Sequence, residues 1–231
     1  QTGIGWKSGE LHGLTLGPTD ITAKYSSRWV TGRKEEALVF DSIKVTVNDG
    51  LLRAQPQVLL NPLPTLTNEN PGPLLLMGQT RLLERVSITR DMCAEWLKYV
   101  APLLGDATRI RGRLSVGLTH ARIPIGDMNS ADILGSLTVH SGEIRPGPLT
   151  EPFVRLVRRI HSIAGKNILG ETNTILRTTE REIPFRLLDG RVYHENMLVR
   201  TGEVVMNSSG SVGLDESLDL LVQIQIPDHW V

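Results

Sequence analysis

The tightest constraint in this chain is a run of strict alternation near its C-terminal end. Leu218, Leu220, Val222, Ile224 and Ile226 occupy every second position, with Asp219, Leu221, Gln223 and Gln225 between them. Successive side chains of a strand point to opposite faces, so the run predicts a strand with one apolar and one largely polar face. A one-residue slip would turn the whole apolar set to water, which pins the register. Val212-Gly213-Leu214 alternates just upstream, and Asp215-Glu216 is the expected hairpin turn between the two runs. Asp189-Gly190 is a second turn signal, because glycine accepts positive φ and Asp hydrogen-bonds its local backbone.

The rest of the chain carries the same signature in shorter pieces. Ile4-Gly5-Trp6 and Leu11 to Leu16 read as strands separated by the turn cluster Lys7-Ser8-Gly9-Glu10. Ile21 to Tyr25 alternates, as do Ile43, Val45 and Val47 before an Asp49-Gly50 hairpin signal. Gln57 to Leu60 is a short apolar strand. Pro62, Pro64, Pro71 and Pro73 mark residues 61–75 as a loop or surface excursion, because proline removes ladder donors. Leu114, Val116 and Leu118 alternate, as do Leu137 and Val139. Gly112, Gly135 and Gly210 each lead a similar short unit, which suits a bulge or turn in a curving sheet.

Two stretches have helical spacing instead. Residues 89–105 carry Met92, Trp96, Leu97, Val100 and Leu104 behind a Thr89 or Asp91 cap. Residues 150–165 carry Phe153, Leu156, Val157, Ile160 and Ile163 behind Thr150, with Arg155, Arg158, Arg159 and His161 on the other side. The expected fold is therefore mainly β, of the α+β class. It is a large curved antiparallel β-sheet or β-groove with two flanking amphipathic helices. The expected subdivision is N-terminal strands over 1–60, a Pro-rich loop over 61–80, a helical segment over 81–109 and a β region over 110–231.

Composition narrows the function classes. The 231 residues hold 25 basic and 25 acidic side chains, so no global charge draws the chain to nucleic acid or an anionic membrane. Aromatics make up only 4%, too few for a base-stacking surface, so no nucleic-acid partner is expected. A single cysteine, Cys93, excludes an internal disulfide and a multi-cysteine metal site. No apolar run approaches the roughly 20 residues of a membrane span. The abrupt start at Gln1-Thr2-Gly3-Ile4, without an initiator Met, suggests a piece of a longer protein.

No pattern carries catalysis. His194-Glu195 resembles the start of a zinc-protease helix, but Leu198 stands where the second histidine belongs. Ser208, Ser209 and Ser211 lack a nucleophile-elbow sequence. Asp127, Asp132, Asp215, Glu216 and Asp219 read as turn residues or polar strand faces. No catalytic residue, metal or cofactor is expected, and the chain is read as a non-enzyme. Arg155, Arg158 and Arg159 form one charge cluster, either a solvated helix face or a contact for lipid head groups or an acidic partner.

One resemblance goes further. Pro184-Phe185-Arg186-Leu187-Leu188-Asp189-Gly190-Arg191-Val192, then Met197-Leu198-Val199-Arg200, then Gly210-Ser211-Val212-Gly213-Leu214-Asp215-Glu216-Ser217-Leu218-Asp219-Leu220 resembles the C-terminal region of the AsmA-like proteins of diderm bacteria. That family is related to the bridge-like lipid-transfer proteins. The match is best over residues 183–226 and looser back to about residue 110. It implies an envelope module in the periplasm, anchored at the inner membrane through segments outside this chain. It implies phospholipid transport or outer-membrane biogenesis along an apolar β-groove, with acyl chains as the ligand. The groove-lining residues would be Val212, Leu214, Leu218, Leu220, Val222, Ile224 and Ile226. These same residues also suit an ordinary sheet core, in a structural or protein-interaction module without a small ligand.

Overall fold

A computed structural model describes residues 2–30, 32–63, 72–105, 109–145, 176–178, 180–201 and 204–225, together with Arg155 and Arg159. Among these residues seventeen strands form one antiparallel sheet. In chain order they are β1 (Thr2–Trp6), β2 (Gly9–Leu11), β3 (Leu14–Leu16), β4 (Thr19–Val30), β5 (Arg33–Phe40), β6 (Ile43–Val47), β7 (Gly50–Ala54), β8 (Gln57–Leu59), β9 (Leu74–Met77), β10 (Thr80–Ser87), β11 (Arg109–Pro124), β12 (Asp132–Arg145), β13 (Leu176–Thr178), β14 (Arg181–Leu188), β15 (Arg191–Thr201), β16 (Val204–Gly213) and β17 (Leu218–Gln225).

The pairing is an up-and-down meander of long, interrupted rungs. β3 and β4 lie end to end and meet β6 and β5 in one register, with Leu16 opposite Val47 and Ala23 opposite Phe40. β7 and β8 lie against β10 and β9. The sixteen-residue β11 pairs with β10 and β9 on one side and β12 on the other. β14, β15, β16 and β17 then follow one another. Among the described residues β17 pairs only with β16 and β1 only with β4, so the sheet is open.

Local chemistry explains the tight corners. His12-Gly13, Asn48-Asp49 and Asp189-Gly190 each place two consecutive residues at positive φ. Each forms a two-residue loop, with Leu11 opposite Leu14, Val47 opposite Gly50 and Leu188 opposite Arg191. Positive φ at both central positions matches the right-handed twist of paired strands, and Asn, Asp and Gly tolerate it best. The first of these loops corrects the sequence reading. The chain turns at His12-Gly13, inside the expected Leu11 to Leu16 strand, while Gly9 and Glu10 of the expected turn cluster belong to β2.

Two further expectations change. Residues 81–87, assigned to a helical segment, belong to β10, and Leu74–Met77 of the expected Pro-rich loop forms β9. The pair of flanking helices is not supported: of the two expected helices the described residues show only the first, as a short segment, α1 (90–100). It is capped as expected, with the Thr89 Oγ1 accepting from the Met92 N–H at 3.2 Å. It is not one smooth helix. Cys93–Leu97 is a π-turn, and the segment stops at Ala101, whose φ of −136° and ψ of 72° leave the helical region. Pro102 follows, and the residue before a proline is pushed out of helical geometry. The last turn, Pro102–Gly105, stands apart. The expected helix over 150–165 lies outside the described residues, except that Arg155 and Arg159 are helical and exposed.

The core lies on one face of the sheet. Leu83, Val116, Leu137 and Ile183 sit opposite one another across four strands, and Leu114 faces Val139. α1 covers this face with Met92, Cys93, Leu97 and Val100, and Trp96 and Tyr99 pack at the margin. At its start the Thr89 hydroxyl donates to the Gly13 carbonyl at 3.1 Å, in the β2–β3 loop. Near its end Lys98 Nζ reaches Glu216 Oε1 at 2.7 Å, in the β16–β17 loop.

Candidate functional site

The proposed groove residues divide by position. Leu218, Leu220, Val222 and Ile224 face Val212, Gly210, Ser208 and Met206 across the ladder. Val212 is buried. Leu220, Val222 and Ile224 are half-buried, whereas Leu218 is 53% exposed. Leu214, Val222 and Ile224 pack against the edge of the core. The alternating set therefore forms a lip of the apolar face rather than its centre. Ile226 lies outside the described residues. So does Arg158, whereas Arg155 and Arg159 are exposed.

A second arrangement was not legible in the sequence. On the opposite face of the sheet Ser115 Oγ lies 2.7 Å from His140 Nε2, and His140 Nδ1 lies 2.6 Å from Glu180 Oε1. The carboxylate accepts, so Nδ1 carries the proton and donates. In neutral imidazole Nε2 is then the acceptor, and the Ser115 hydroxyl donates to it. Ser115 Oγ also accepts from the Arg85 backbone N–H at 3.0 Å.

Two irregularities build this place. β10 shifts register between Leu83 and Val86, and Arg85 adopts a φ of 50°. That turns the Arg85 amide out of the ladder and onto the Ser115 hydroxyl. On the next strand, β11 shifts register against β12 between Gly112 and Arg113. Bulges re-aim side chains and open the pleat. Between the two lies a cleft of about 340 Å³ lined by Arg85, Ser87, Gly112, Arg113 and His140. Both guanidinium side chains are exposed, and neither makes an ion pair among the described residues.

The serine, imidazole and carboxylate stand in the order of a nucleophile relay. Their setting differs from one. Ser115 sits within a strand paired on both sides, and one of its lone pairs is already bonded to an amide. The cleft is instead rich in donors, and its unpaired charges are positive.

Cys93 and His194 are core residues. Cys93 is buried, and burial pushes its thiol up to about 11, so it stays protonated at neutral pH. His194 is buried on β15, with Nε2 3.3 Å from Ser208 Oγ and Nδ1 without a partner among the described residues. Burial lowers its pKa and favours neutral imidazole. Among the described residues no group of three or more metal-ligating side chains converges, and no helix is long and apolar enough to cross a membrane. Comparison of the chain with family models, curated proteins and solved structures returns no match.

Proposed function

We propose that the chain is a non-catalytic module of the bacterial cell envelope whose apolar sheet face takes up phospholipid acyl chains. The observation that carries this reading is the reach of α1. Its first turn bonds the β2–β3 loop and its last turn bonds the β16–β17 loop. From Thr89 to Lys98 the helix advances only about 14 Å at about 1.5 Å per residue. Between β3 and β16 lie eight strand-to-strand steps along the ladder, about 38 Å in a flat sheet at about 4.8 Å each. The sheet has to curl for one short helix to hold both loops. A curled, open meander with its apolar side inward is a trough, and α1 fills part of it.

The lip beyond α1 supports the same reading. Leu218 is largely exposed, and Leu220, Val222 and Ile224 are only half covered. An acyl chain laid along them would gain about 0.8 kcal/mol per buried CH₂ while its head group stayed wet. The resemblance to AsmA-like proteins points the same way, toward phospholipid transport or outer-membrane biogenesis in the periplasm.

The test is native mass spectrometry of the chain purified from a bacterial envelope extract, beside its Val222→Asp variant. Co-purifying phospholipid, lost in a variant that keeps its circular dichroism spectrum, is the expected result. A folded variant with undiminished lipid would remove this strand from the groove. An unfolded variant would make the face a closed core, since a buried unpaired charge has no compensation. A second reading, a structural or protein-interaction module, is favoured by how fully Met92, Leu97, Leu114 and Leu137 fill the centre. Absence of lipid from the parent protein would select it.

A further inference from the structure

We propose that the cleft between β10, β11 and β12 is a binding site for a phosphate monoester, independent of the apolar face. The first ground is backbone strain. Arg85 is a non-glycine residue at a φ of 50°, a conformation that persists only where the surroundings over-determine it. It coincides with a register shift on its own strand, and a second shift lies beside Arg113 on the neighbouring strand. Two adjacent bulges opening one cleft are the sheet's usual means of aiming side chains at a site.

The second ground is charge. Arg85 and Arg113 line the cleft, and neither guanidinium makes an ion pair among the described residues. The Glu180 carboxylate is held by His140 Nδ1 at 2.6 Å. That bond, with Ser115 on Nε2, fixes the ring that forms one wall. The cleft thus keeps two unspent positive charges, with Ser87 and Gly112 completing its lining.

The ligand class follows from this donor set. Each guanidinium presents a planar fork suited to two oxygens. A carboxylate has two oxygens in all and satisfies one fork. A terminal phosphate has three, spread over a tetrahedron, and can meet both forks at once. At about 340 Å³ the cleft is at the small end of ligand sites and accommodates a head group rather than a large molecule. The phosphate could belong to a soluble ester or to a lipid head group, and the experiment separates them.

The probes are inorganic phosphate and glycerol 3-phosphate, followed by calorimetry, and phosphatidylcholine vesicles doped with phosphatidic acid, followed by flotation. The chain should bind the soluble probes, and Arg113→Gln and Arg85→Gln should each weaken binding at least about tenfold, as expected for a lost charge-assisted contact. Arg33→Gln, on the distant β4–β5 hairpin, should leave it unchanged. Melting temperatures of all three variants control for folding. Association with the doped vesicles but not with plain phosphatidylcholine, lost in Arg113→Gln, assigns the phosphate to a lipid. Soluble binding without flotation assigns it to a free ester. No binding of any probe, or binding that survives Arg113→Gln and Arg85→Gln alike, overturns the proposal.

Discussion

His194 shows how burial alone sets a residue's chemistry. Its imidazole is enclosed, with one nitrogen near Ser208 Oγ and the other unpartnered among the described residues. The neutral form is favoured and the folded pKa lies below the ordinary value near 6.5. Between those two values the unfolded chain binds a proton that the folded chain refuses. Stability therefore falls as pH drops from about 6.5 through the lowered folded pKa, and His194→Leu should flatten that part of the curve. Urea midpoints of both proteins across this range check the sign. The sequence placed His194 beside Glu195 and invited a metal reading, but it could not show that the ring points into an apolar core. Gly210 is the other residue whose role needed coordinates. It sits at a φ of 139° opposite a bulge in β15, where Asn196 also turns to positive φ. A Cβ there would lie 2.1 Å from the Asp219 carbonyl oxygen. Gly210→Ala should cost at least about 2 kcal/mol, through strain and forced separation of β16 from β17. An unchanged denaturation midpoint would refute this.

At the scale of elements, α1 separates contacts that stabilise from contacts that orient. Leu97 is fully enclosed, and Leu97→Ala should cost about 2–5 kcal/mol. The Lys98–Glu216 pair is close at 2.7 Å but solvated, so Lys98→Ala should change stability by no more than about 1 kcal/mol. Thermal unfolding of the two variants gives the ordering. The cap at Thr89 was legible because side-chain capping is local chemistry. The π-turn was not, because it depends on how Cys93 and Leu97 meet the sheet. The same division runs through the strands. Ile43–Val47, the Leu114 to Leu118 run and the turn before β17 were readable because one face is buried and the other wet. β5 was not readable. Arg33, Lys34, Glu35 and Glu36 open it, and its inward Glu35 is buried against Arg28, with Arg28 Nη2 2.6 Å from Glu35 Oε1. The Ser115–His140–Glu180 chain was invisible for another reason. Its members lie 25 and 40 positions apart, and only the pairing of β11 with β12 and the bend before β14 bring them together.

At the scale of the whole molecule, the meander decides what can fold alone. Sequence reading divides the chain near residues 61–80, because four prolines cluster there. The ladder runs through that division. Leu52 of β7 faces Leu83 of β10, and Val58 of β8 faces Leu75 of β9. The strands before the division thus form one wall of the strands after it, and Val45, Val47 and Leu83 share one buried cluster with α1. Removing residues 1–63 would bare the edges of β9 and β10 and uncover that cluster. The removed piece would lose the partner strands of β7 and β8 and the buried cluster that Val45 and Val47 share with α1. Small sheets without a covered face are marginal in water. The whole chain should therefore unfold in a single cooperative transition, with calorimetric and van't Hoff enthalpies equal. A chain cut once between residues 64 and 71 should elute as one species under native conditions, and the two pieces should part only in denaturant. Isolated 1–63 should show neither a strand-type circular dichroism spectrum nor a thermal transition. Independent folding of that piece, or two separate transitions in the intact chain, would make the proline cluster a true domain boundary and the continuous sheet two sheets placed edge to edge.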